Sequence, residues 1–131
     1  MMEKFLAVLA LFVSFYATAE APNNTKQEIS YLFTHLKNSG CEFNRNGSWY
    51  QADAAVNHLN KKYEYLLGKG YISTTEDFIA RAATESSMSH KAYVVKCDGA
   101  ETKSAQWFKQ ALTTFRNEAK YRANAASTNT P

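Results

Sequence analysis

The chain has 131 residues, with 15 Lys and Arg against 12 Asp and Glu, a net charge of +3 at pH 7. That length suits one domain. The charge is mild and Lys61-Lys62 is the one adjacent basic pair, so the dense basic face of a nucleic-acid binder is missing.

Lys4 opens the chain with a positive charge, Phe5 to Tyr16 carries none, and Ala17-Thr18-Ala19 supplies the small-x-small pattern cut by signal peptidase. The apolar run is shorter than the ~20 residues a bilayer-spanning helix needs. Residues 1–19 therefore read as a signal peptide, 20–122 as a single α+β domain and 123–131 as a small, polar, disordered tail. The expected location is periplasmic or secreted, with no transmembrane segment after cleavage. In an oxidising compartment the even pair Cys41 and Cys97 reads as a disulfide. Closing a loop of about 57 residues is worth roughly 4 kcal/mol on the chain-entropy model. Two thiols with no further soft ligand make poor zinc-site material, and no cofactor is implied.

Thr25-Lys26-Gln27-Glu28 has the capping-box pattern, and Ile29, Leu32, Phe33 and Leu36 follow as one helix face, closed by Gly40. Asn46-Gly47, between short aromatic-bearing segments, predicts a tight hairpin. Trp49 and Tyr50 then point to opposite faces, leaving one of them exposed. Residues 52–67 predict a second helix, broken by Gly68 and Gly70. Ser73-Thr74-Thr75-Glu76 reads as another capping box, opening a third helix through Phe78, Ile79, Ala82 and Ala83. Thr84 to Lys91 is a hydroxyl-rich loop, Tyr93 to Cys97 a strand, and Asp98-Gly99 a turn. Ser104 is the expected cap of a last helix bearing Trp107, Phe108, Ala111, Leu112 and Phe115. No internal repeat shows in the sequence. Together these elements give about four helices packed on one face of a three-stranded antiparallel sheet, with one disulfide.

Several pieces run in order from about Glu28 to Arg116: Ser39-Gly40-Cys41, Phe43 with Arg45-Asn46-Gly47-Ser48, Ala55 with His58-Leu59 and Lys62-Tyr63, Asp77-Phe78-Ile79, Ala83-Thr84 with Ser86, Ser87 and Ser89, Tyr93, and Trp107-Phe108. On these the chain resembles the YfeK-like family of small exported bacterial proteins of unknown function. His90 stands where that family tends to have glycine. The resemblance implies an exported α+β domain and carries no reaction with it.

The polar residues that invite a site are Arg45, Asn46, Ser48, His58, Lys62, Arg81, Thr84, Ser86, Ser87 and Ser89, with Trp49 as an exposed aromatic anchor. If the hairpin and the Thr84–Lys91 loop adjoin, Arg45 and Arg81 edge a hydroxyl-rich pocket suited to a carboxylate, phosphate or sugar. The competing reading is local: Arg45 flanks a turn and the serines satisfy loop backbone. Ser86 or Ser87 with His58 and Asp53 or Asp77 supplies the residue types of a nucleophilic triad, without a framing motif. His35, His58 and His90 lack metal-ligand spacing. Thr84-Glu85-Ser86-Ser87 is similar to the catalytic glutamate segment of lytic transglycosylases, in which Glu85 would be the proton donor. The expectation is thus a non-enzymatic binding or inhibitor-type protein for an envelope protein or cell-wall ligand. The alternative is a small peptidoglycan-cleaving enzyme using Glu85.

Overall fold

The computed structural model describes Ala21 and residues 23–128; the expected signal peptide lies outside them. Helix α1 spans Asn23–Asn38 and buries Thr25, Ile29, Leu32 and Leu36. It starts two residues before Thr25, so the expected first capping box does not form. The Thr25 hydroxyl instead donates to the Ser73 carbonyl at 3.1 Å, and Glu28 is taken by Arg116. Gly40, at φ +69°, turns the chain out of the helix as expected.

Strand β1 (Glu42–Arg45) and strand β2 (Ser48–Gln51) form the predicted hairpin, with Asn46 and Gly47 at φ +53° and +84°. Phe43 pairs with Tyr50 and Asn44 with Trp49. Helix α2 (Ala52–Gly68) follows without a loop and buries Ala52, Ala55 and Leu59. Helix α3 (Thr75–Ala82) is capped by Thr74, which accepts from the Asp77 amide while Asp77 accepts from the Thr74 amide. The box therefore sits one residue later than the Ser73–Glu76 frame.

Strand β3 (Val94–Cys97) turns through Asp98 and Gly99 into strand β4 (Ala100–Lys103), and helix α4 (Ser104–Thr128) begins at once. The sheet therefore has four antiparallel strands in the order β2-β1-β3-β4, not three. The extra strand is short, polar and at an edge, held by backbone pairing to β3 from Val94–Lys103 to Cys97–Ala100. Ser104 does not cap α4. Its amide donates to the Tyr93 carbonyl at 2.9 Å, and its buried hydroxyl has no hydrogen-bond partner among the described residues. Residues 123–128, expected in a disordered tail, continue α4; this stretch holds three alanines, the best helix former.

The topology is a repeat that the sequence hides. Helix, hairpin and helix occur twice, and the two hairpins meet through β1 and β3, with Phe43 opposite Val95. An antiparallel pair has a local two-fold axis normal to the sheet. The order β2-β1-β3-β4 extends that axis to both hairpins. Phe43 and Val95 lie under α2 and α4, which α1 and α3 cover in turn. The core is completed by Leu59, Phe78, Ile79 and Phe108. Alternation sends Trp49 and Lys96 to the bare face of the sheet. The expected bridge joins Cys41 to Cys97, with Cα atoms 4.5 Å apart, at one end of the β1–β3 pair.

Candidate functional site

Arg45 is the last residue of β1 and Tyr93 immediately precedes β3, so they face each other at the end of the β1–β3 pair opposite the disulfide. Strand alternation puts Arg45 on the same face as Phe43, toward α2. There its Nη1 donates to His58 Nδ1 at 2.6 Å, and its guanidinium lies over the Tyr50 ring. Tyr93 is fixed through its backbone, its amide donating to the Thr84 carbonyl and its carbonyl accepting from Ser104, each at 2.9 Å. Its ring is buried and its hydroxyl reaches His58 Nε2 at 3.2 Å. Lys62, one turn beyond His58 on α2, donates to the Glu85 carbonyl at 2.7 Å and to the Tyr93 hydroxyl at 3.4 Å.

Donor inventory settles the protons. Arginine only donates, and Arg45 Nη1 is far closer to His58 Nδ1, at 2.6 Å, than to Nε2, at 3.4 Å, so Nδ1 accepts and Nε2 carries the hydrogen it gives to Tyr93. Lysine also only donates, so the Tyr93 oxygen accepts from both and its own hydrogen remains available. Burial first, then the charges of Arg45, Lys62 and Lys61, lower the His58 pKa from 6.5 to about 4. The ring is neutral at pH 7. Burial also lowers the Lys62 pKa, against the pull of Glu85, and raises that of Tyr93, against the pull of Arg45.

These groups line a cleft of about 370 Å³, completed by Asn46, Lys61, Tyr65, Ser86, Ser87 and Met88. Six of the expected site residues thus meet: Arg45, Asn46, His58, Lys62, Ser86 and Ser87. The Ser86 hydroxyl is turned inward, accepting from the Met88 and Ser89 amides, so Ser87 is the exposed one. Ser89 stands behind the rim, bonded to the Asn46 side chain.

Four expected residues lie elsewhere. Arg81 is exposed on α3, over the Tyr71 ring, because the opposite face of that helix buries Phe78, Ile79 and Ala82. Trp49 is 38% exposed on the bare face of the sheet, with Lys96 Nζ 4.0 Å above its ring, so it does not flank Arg45. Thr84 uses its hydroxyl to close α3 on the Ile79 carbonyl at 2.7 Å. Ser48 is exposed on the edge strand β2.

Sequence reasoning missed Lys61, Tyr65, Met88 and the site role of Tyr93. A signal existed for two of them: His58, Lys61, Lys62 and Tyr65 recur at i, i+3, i+4 and i+7, one polar helix face.

The arrangement does not make a nucleophilic triad. A triad histidine gives its Nδ1 hydrogen to a carboxylate, whereas His58 Nδ1 receives one from Arg45. Asp77 is engaged by the Ser73 and Thr74 amides, and Asp53 by the Ala54 amide. Glu85 gives the site its backbone carbonyl, while its exposed carboxylate meets His90 at 3.3 Å. His90 takes φ +60°, a backbone conformation natural to glycine. His35 stacks between Tyr31 and Trp107. Among the described residues, no group of three or more His, Cys, Asp or Glu is placed to hold a metal ion, and no helix is long and apolar enough to cross a membrane.

Comparison with curated proteins and with solved structures returns no match. A family model does match, over residues 23–116, which takes in every element from α1 to the middle of α4 and the whole cleft. On that match the chain belongs to the family of unknown function DUF5329.

Proposed function

We propose that the protein is an exported, non-enzymatic binding protein of the periplasm or cell exterior, whose cleft takes an anionic cell-envelope ligand. One observation carries the ligand class. Arg45, Lys61 and Lys62 line the same cleft as a neutral His58 and a Tyr93 hydroxyl with a hydrogen to give. Such a set of donors favours an oxyanion. Export rests on the Lys4–Ala19 pattern and on the finer resemblance to YfeK-like proteins.

Calorimetric titration with acetate and with inorganic phosphate tests the ligand class. Saturable binding is expected, lost in the Arg45→Ala/Lys62→Ala protein. No response to either anion overturns it. Export is checked by fractionating producing cells and sequencing the N-terminus; an uncut cytoplasmic chain overturns that part.

A further inference from the structure

Behind the Arg45–His58 pair lies a second, more enclosed cavity of about 110 Å³, lined by Phe43, Tyr50, Ala54 and Ala55 as well as by Arg45 and His58. These two residues line both spaces. One side of the pair faces cations and hydroxyls; the other faces two aromatic rings and two methyl groups. The geometry points to a two-part ligand: a carboxylate held in the polar cleft, and a short branched aliphatic group that reaches past the shared Arg45–His58 pair into the apolar cavity. The C-terminus of a peptide ending in valine or leucine has this form. This inference rests on the anion-binding reading above and adds the chemical class of the ligand.

Size decides the aliphatic part. An apolar protein cavity of about 150 Å³ holds a benzene ring and stays free of water. At about 110 Å³ the cavity here is smaller than that, which favours an isopropyl or isobutyl group over a flat phenyl ring. Its walls are set by the fold. Phe43 and Ala55 are buried core residues, and Arg45 lies over the Tyr50 ring. Ala54 follows Asp53 in the first turn of α2 and is itself exposed, so it forms the outer lip.

Calorimetry with acetate, N-acetylglycine, N-acetylvaline, N-acetylleucine and N-acetylphenylalanine tests the proposal. Burying three or four carbons is expected to tighten the valine and leucine compounds by about 50- to 200-fold over the glycine compound. The phenylalanine compound should bind no better than the glycine one. In the Ala54→Leu protein, where the larger side chain stands at the lip of the cavity, N-acetylleucine should lose its advantage over N-acetylglycine. Equal affinities across the series in the unaltered protein, or tightest binding of the phenylalanine compound, overturn the inference while the anion site stands. Absence of binding by every compound, acetate included, removes both.

Discussion

Arg116, midway along α4, grips Glu28 of α1 through two bonds, Nε to Oε2 at 2.6 Å and Nη2 to Oε1 at 3.0 Å. Its Nη1 reaches Glu76 on α3, and Glu28 also accepts from the Thr75 hydroxyl. One guanidinium thus ties three helices together at the face remote from the sheet.

Arg116→Ala is expected to cost about 1–2 kcal/mol at pH 7, since the Glu28 side chain is only 12% exposed and loses its charged partner. Glu76, at 55% exposure, adds little. Both carboxylates are held below their usual pKa, chiefly by the Arg116 hydrogen bonds. Their contribution is complete above the unfolded glutamate value, near 4.3, and is lost as pH falls through the lower folded values. Urea unfolding should therefore separate the two proteins at pH 7, and the gap should narrow as pH falls below about 4.3. Equal stability at pH 7 would refute the tie.

His58 titrates in the opposite charge sense. Its folded pKa is lowered from 6.5 to about 4, so between these values the unfolded chain binds the extra proton. Stability therefore falls as pH drops from 6.5 toward 4, by at most about 2 kcal/mol once solvent screening of a half-exposed ring is allowed for. In His58→Gln this part of the pH dependence should vanish. Parallel pH–stability curves for the two proteins would contradict the assignment.

Lys62 fastens the loop carrying Glu85 and Ser86 to α2 through its bond to the Glu85 carbonyl. In Lys62→Met the amides of Ser86 and His90, which bond across that loop, should exchange with solvent about 5- to 30-fold faster, matching a loss of about 1–2 kcal/mol. Amides in the Phe43–Val95 pairing should be unaffected. Unchanged loop exchange would show that the loop holds itself.

Reducing Cys41–Cys97, which are 56 positions apart in the chain, should lower stability by about 2–4 kcal/mol and the melting temperature by roughly 10–20 °C. Melting curves with and without a thiol reductant read this directly. Coincident curves would contradict a structural role for the bridge.

The helices, the Asn46-Gly47 hairpin and the cysteine pairing were legible in the sequence, because each is written locally or forced by composition. Strand β4 was not. Ala100-Glu101-Thr102-Lys103 has no apolar alternation, and only the neighbouring strand makes it one. At the start of α3 two capping frames overlap, Ser73 with Glu76 and Thr74 with Asp77. Distant Arg116 engages Glu76, and the second frame forms. The site was half legible for the same reason. Arg45 and His58 could be named, but the departure of Arg81 depends on which face of α3 the core claims. Tyr93 reads in the sequence only as the start of a strand, and its ring is core apart from the hydroxyl.

The doubled topology gives the β1–β3 pair two equivalent ends, and the chain finishes them differently. The residue just before β1 is Cys41 and the last of β3 is Cys97; their topological counterparts are Tyr93, just before β3, and Arg45, the last of β1. A covalent clasp occupies one end, and a polar relay through His58 occupies the other. With the strands already fastened at the clasp, the relay end is relieved of that duty. Its polar groups line the cleft instead, so that two ends alike in topology differ in chemistry, one closed by a covalent bond and the other open to solvent.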